Sequence, residues 1–214
     1  MKTYSHAPFM GGKPDSLVIF LHGYGSNGQD LISLAPYWER ALPHTAFISP
    51  DAPFPCEIGF GYQWFSLSDV SLTARMEGVE SAAPLLNQFI DEQITKYNLP
   101  ASKIALVGFS QGTMMSLYVA PRRSQPLAGV IGYSGALLGG EEFATLPSIV
   151  KPPLLLIHGD SDPVVPVEAY HHAMASFANA GFTDLSGSVT PGLVHSIDEQ
   201  GLVDGLAFLQ RVFS

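Results

Sequence analysis

Short apolar runs stopped by glycine or proline alternate along the chain with longer stretches in which apolar residues return at helical spacing. The runs at 17–21, 46–48, 104–107, 129–131, 154–157 and 185–189 read as strands, because each is short, apolar and bounded by turn residues. Helical spacing predicts helices over about 29–41, 75–97, 111–120, 167–180 and 197–212. Pro84 falls inside the second of these and predicts a kink, or a break near Ala83, since proline lacks the N–H donor and crowds the preceding turn. Strands alternating with helices imply an α/β fold, a three-layer sandwich around a mostly parallel sheet. Right-handed crossovers then gather the strand-to-helix loops along one edge, where ligand sites lie. At 214 residues the chain is expected to form one domain, 1–214, with no large inserted cap.

Composition narrows the function classes. Apolar residues make up 46% and charged residues only 14%, which suits a packed core rather than a disordered chain. Ten Lys and Arg against nineteen Asp and Glu leave a formal charge of -9, which opposes a phosphate-binding surface, so nucleic acid is not an expected partner. The single cysteine, Cys56, cannot form an intramolecular disulfide and belongs to no zinc-ligand cluster, which fits a reducing compartment and a cytoplasmic location. The apolar runs are too short to span a bilayer, and residues 1–9 carry no signal-peptide core, so no stable membrane insertion is expected.

Which polar residues follow the strands is therefore the useful question. Gly108-Phe109-Ser110-Gln111-Gly112 lies between the strand at 104–107 and the helix starting near Gln111, the context of a nucleophile elbow. Chance supplies the bare G-x-S-x-G string often enough that context has to decide. A second string, Gly132-Tyr133-Ser134-Gly135-Ala136, also follows a strand but has alanine at the second flanking glycine and no helix directly after it, so Ser134 reads as structural. A serine hydroxyl needs an imidazole to take its proton and an acid to orient that imidazole. Behind such an elbow the chain order is serine, acid, histidine. His158 comes too early for that order, and His171 and His172 fall within a helix, whereas His195 follows the last predicted strand on a loop. The acid comes from Gly159-Asp160-Ser161-Asp162-Pro163, where Asp160 is placed to bond loop amides and Asp162 lies farther out beside a stiffening proline. Asp162 is the choice, against the alternative that both are turn aspartates. Oxyanion donors are expected from the Gln111 amide and from the Tyr24 amide in the glycine-rich loop Leu21-His22-Gly23-Tyr24-Gly25, which lacks the Gly-Lys-Ser/Thr ending of a phosphate loop.

On these segments, together with Gln63-Trp64-Phe65, His158-Gly159-Asp160-Ser161-Asp162-Pro163-Val164-Val165-Pro166 and His195-Ser196-Ile197, nearly the whole chain resembles the phospholipase/carboxylesterase family of small α/β-hydrolases, which includes acyl-protein thioesterases. The resemblance implies a cofactor-free esterase, without a metal, using Ser110, Asp162 and His195 as triad and the Tyr24 and Gln111 amides as oxyanion donors; it also supports Asp162 over Asp160. Two positions depart from the common pattern: Tyr24 stands where leucine is frequent, and Thr113-Met114-Met115 stands where small residues are frequent.

Residues 50–72 are rich in aromatics without clear periodicity, and either roof the site or pack onto the core; Trp64, Phe65 and Met114 are the expected substrate-binding side chains. The expected activity is serine carboxylesterase on short to medium acyl esters. Its rivals are a lysophospholipase, an acyl-protein thioesterase and, from another class, a noncatalytic ligand-binding module. The expected partner is a small-molecule ester or thioester, and the expected state a monomer or homodimer.

Overall fold

In the computed structural model, which describes residues 1–146 and 148–214, the chain opens with β1 (Thr3–His6), β2 (Ser16–Leu21), α1 (Gly28–Leu31), α2 (Ala35–Trp38) and β3 (Thr45–Pro50). It continues through β4 (Phe54–Pro55), β5 (Tyr62–Gln63), α3 (Leu72–Tyr97), β6 (Ile104–Phe109), α4 (Gln111–Val119) and β7 (Gly129–Tyr133). It closes with β8 (Leu154–Gly159), α5 (Glu168–Asn179), β9 (Leu185–Thr190) and α6 (Glu199–Phe213). Seven strands form one sheet in the order β1-β3-β2-β6-β7-β8-β9; β1 is antiparallel to β3 and every other pairing is parallel.

The period of two along a pleated strand explains how continuous apolar runs serve two cores at once. In β2, Leu17, Ile19 and Leu21 enter the core beneath α3, α4 and α5, while Val18 and Phe20 enter the core beneath α2 and α6. β8 divides the same way, with Leu154 and Leu156 on one face and Leu155 and Ile157 on the other. The result is the expected three-layer sandwich, and among the described residues no large cap is inserted.

Three elements differ from their predicted form. The helix expected over 29–41 is broken into α1, a 3-10 turn at Ile32–Leu34 and α2, with Pro36 in the first turn of α2, where its missing N–H is harmless but continuation of the preceding helix is not possible. Of the two outcomes expected at Pro84, a kink or a break near Ala83, the break does not occur: the helix runs uninterrupted over 26 residues. Both Pro84 and Glu80, whose carbonyl loses its partner, lie on the exposed face, so water can satisfy the freed carbonyl. The aromatic stretch 50–72 contains the hairpin β4–β5, and β1 adds an edge strand that no apolar run announced.

Candidate active site

Because six strands run parallel, the segments following β2, β6, β7, β8 and β9 emerge on one edge of the sheet. Ser110 directly follows β6 and caps α4 with φ 54° and ψ -116°, a left-handed conformation that costs a non-glycine residue strain and is held here by its surroundings. Its amide donates to the Tyr133 carbonyl at 2.9 Å, and its carbonyl receives the Met114 amide at 3.1 Å. The flanking glycines are steric necessities: a Cβ on Gly112 would stand 1.8 Å from the Leu21 carbonyl oxygen, and one on Gly108 2.5 Å from the Thr113 amide nitrogen. No hydrogen bond engages the Ser110 hydroxyl among the described residues.

His195 lies on the loop between β9 and α6, and its Nδ1 is 2.7 Å from Oδ2 of Asp162. The Asp162 side chain is fully buried, and its other oxygen, Oδ1, accepts the amides of Val164 and Val165 at 2.8 and 2.9 Å. Burial alone would raise the Asp162 pKa, but the His195 hydrogen bond and the two amides outweigh it and hold the carboxyl below its ordinary value. A carboxylate on Nδ1 leaves Nε2 of His195 as the nitrogen available to accept a proton. Asp160 does something else: its Oδ1 accepts the Gly192 amide at 2.7 Å and the Ser161 hydroxyl at 2.9 Å, tying the β8 loop to the β9 loop.

The remaining histidines sort as their positions suggested. His158 is buried, donates from Nε2 to the Val165 carbonyl at 2.8 Å and stands 3.6 Å from Asp162 Oδ2, bracing the acid's loop. His171 and His172 are exposed on α5. Ser134 is buried with φ 46°, and its hydroxyl donates to the Ser196 carbonyl at 3.3 Å, beside His195.

Neither the Tyr24 nor the Gln111 amide donates a hydrogen bond to any described residue, and Gln111 opens α4, where the helix dipole adds positive potential. The two amide loops are joined by side chains. Gln111 is buried; its Oε1 accepts the Trp64 amide at 2.8 Å and its Nε2 donates to the Phe65 carbonyl at 2.8 Å, while Trp64 Nε1 donates to the His22 carbonyl at 3.0 Å. Trp64, expected among the substrate-binding side chains, is 0% exposed here and supports the glycine-rich loop through its Nε1–H. Phe65, at 3%, lies against Gly78 of α3, and Met114, at 6%, sits in the same core, so each keeps only a sliver of surface. Residues 50–72 thus divide: Trp64 and Phe65 pack inward, whereas the tip carrying Ile58 and Phe60 is exposed, with Ile58 beside Gly25. Tyr24, the residue that departs from leucine, donates its phenol to Glu57 at 2.8 Å and so ties the same tip to the glycine-rich loop.

A family model described as Phospholipase/Carboxylesterase matches residues 10–213. Acyl-protein thioesterase 1 of Gibberella zeae is 31% identical over 91% of this chain and 89% of its own length, and that of Emericella nidulans is 30% identical over 97% and 96%. Among solved structures, esterase PE8 superposes with a TM-score of 0.91 at 39% identity, covering 98% of this chain and 97% of that one. The Bacillus cereus carboxylesterase shares the fold, with a TM-score of 0.78 at 16% identity over 99% and 94% of the two chains.

Proposed function

This chain belongs to the phospholipase/carboxylesterase family of α/β-hydrolases and is a carboxylic ester hydrolase, and from that premise we propose that it cleaves short to medium acyl esters through Ser110, His195 and Asp162. The observation that carries the reading is a left-handed serine at the end of β6 on the same sheet edge as a histidine whose Nδ1 is held by a buried carboxylate. Ser110 Oγ attacks the carbonyl carbon as its proton passes to His195 Nε2. Asp162 fixes the imidazole tautomer and stabilises the imidazolium that forms. The amides of Tyr24 and Gln111 receive the oxyanion. Collapse expels the alcohol or thiol, which takes the proton from His195, and water repeats the sequence on the acyl-enzyme. Ile58, Phe60, Val164 and Val194 are exposed apolar residues on loops at this edge and supply contact for an acyl chain; Phe65 and Met114 add their small exposed surfaces below.

A thioester substrate is the second reading, favoured by the two acyl-protein thioesterase relatives at 30% and 31% identity. The discriminating experiment is a chain-length series of nitrophenyl esters beside an acyl thioester of matched length, compared by kcat/KM. Ser110→Ala and His195→Ala should each lower kcat by about 10⁴–10⁶. A fluorophosphonate probe should label the wild-type protein at Ser110. Retention of most ester hydrolysis by Ser110→Ala would sink the Ser110 mechanism, whereas failure of folded wild-type protein to label would favour the noncatalytic module.

A further inference from the structure

The direction in which the Tyr24 amide points is set by a residue outside the proposed triad. In a trans peptide the carbonyl and the following N–H lie in one plane and point in opposite directions, and no cis bond occurs among the described residues. Anchoring the Gly23 carbonyl therefore aims the Tyr24 N–H. That carbonyl accepts two hydrogen bonds, from His22 Nδ1 at 2.7 Å and from the Ser26 amide at 3.2 Å. The same stretch lies against the elbow, since a Cβ placed on Gly23 would come within 3.3 Å of Ser110 Cβ.

The imidazole has only one form that fits. Its Nε2 receives the Ala52 amide at 2.9 Å; a backbone N–H can only donate, so Nε2 carries the lone pair. Its Nδ1 faces a carbonyl, which can only accept, so Nδ1 carries the hydrogen. The ring is fully buried, and protonating it would oppose two donors at Ala52. Burial indeed lowers its pKa, against opposing contributions from the Gly23 hydrogen bond and the Asp51 and Asp30 carboxylates. The His22 carbonyl is in turn held by Trp64 Nε1, and the Trp64 amide by the Gln111 side chain, so the chain of bonds runs from one candidate oxyanion donor to the other.

We propose that His22 is a positioning residue that, as its Nδ1–H tautomer, sets the plane of the Gly23–Tyr24 peptide and aims the Tyr24 amide at the reacting oxygen. The inference rests on the proposed Ser110 mechanism and predicts a loss confined to states that carry the oxyanion. Two substitutions separate aim from anchorage. In His22→Asn the amide nitrogen takes the place of Nδ1 and still donates to Gly23, while Ala52 loses its acceptor. In His22→Gln the side-chain oxygen takes the place of Nε2 and still accepts from Ala52, while Gly23 loses its donor.

The experiment measures kcat, KM and the affinity of a trifluoromethyl ketone, whose serine adduct places an oxyanion in the hole. His22→Gln should lose about 10–10²-fold in kcat and a matching factor in ketone affinity, with KM within about threefold, because one oxyanion donor is worth about 10²-fold or more when removed outright. His22→Asn should stay within a few-fold of wild type. Equal losses in the two variants, or a fall in kcat without a fall in ketone affinity, would overturn the proposal by showing that His22 acts only through the stability of the loop. Should neither variant fold, Trp64→Phe, which removes the Nε1–H bond to the His22 carbonyl together with part of a buried ring, should lower kcat and ketone affinity in parallel, and a loss of stability without that parallel fall, or a drop in either alone, counts against it. Loss of the Ser110 mechanism itself is read separately, from fluorophosphonate labelling of the wild-type protein.

Discussion

Gln111 carries two tasks on one residue: its backbone N–H is a proposed oxyanion donor, and its buried side chain clamps the Trp64 amide and the Phe65 carbonyl. Truncating the side chain to alanine keeps the backbone donor but leaves two main-chain groups unpaired in a buried place. Each unpaired group costs about 1–3 kcal/mol, so Gln111→Ala should be less stable by about 2–6 kcal/mol in equilibrium urea unfolding, and kcat should fall although no donor has been removed. A stability change below about 0.5 kcal/mol would mean that water replaces both bonds at no cost. This adds to what the sequence suggests, where only the Gln111 backbone has a visible task. The reason is distance along the chain: Gln111 and Trp64 are 47 residues apart, and His22 and Ala52 are 30 apart, so no local pattern announces either bond. The placement of Ser110, Asp162 and His195 along one sheet edge is legible in the sequence because each follows a recognisable strand and their chain order is constrained, whereas the preference for Asp162 over Asp160 as the proposed acid owes more to the family resemblance than to spacing.

At the level of elements, legibility followed burial. Five of the six predicted strands are buried along nearly their whole length and read as apolar runs, whereas β9, at the sheet edge, is half-buried to exposed and is marked mainly by its bounding turns; all six lie within a few residues of their expected ends. β1, whose residues Thr3–His6 alternate between exposed and half-buried, pairs along only one side and needs no apolar run. β4 and β5 are two residues each and exist through their mutual pairing. Pro84 is the instructive case, because the break its chemistry allows is overridden by packing. Within α3 it costs a hydrogen bond and crowds the turn, worth about 3 kcal/mol in a helix interior, yet Val79, Ala82, Leu86 and Ile90 bury the opposite face and hold the helix together. Pro84→Ala should therefore stabilise the protein by about 1–2 kcal/mol, after about 1 kcal/mol is returned for the freer unfolded chain. Differential scanning calorimetry should show a midpoint several degrees higher. A lower midpoint would mean that Pro84 itself is needed for α3 to pack against the sheet.

Across the whole molecule, charge and hydrogen bonding pull stability in opposite directions as pH falls. The formal charge of -9 and the pI near 5.0 mean that acidification from neutrality first relieves repulsion, an effect that salt at physiological strength screens beyond about 8 Å. Against it stand carboxyls held below their ordinary values. In Asp162 the bonds from His195, Val165 and Val164 overcome burial; Asp69 is lowered by the Ser71 amide and hydroxyl; and Glu57 is lowered to about 2, chiefly by the Ser66 and Tyr24 hydroxyls. For each, the unfolded chain binds the proton more readily than the folded one, so its contribution is complete above the unfolded value of about 4 and is lost as pH falls through the folded value. No helix among the described residues is long and apolar enough to cross a membrane. In 0.15 M salt the urea midpoint should stay level or rise slightly from pH 7 to about 5.5, then fall steadily below about 4.5. Asp162→Asn, which cannot ionise, should show a shallower fall than wild type. An equal slope in the two proteins would place the acid sensitivity on surface charge alone, and a midpoint at pH 3.5 equal to that at pH 6 would contradict the lowered carboxyls altogether.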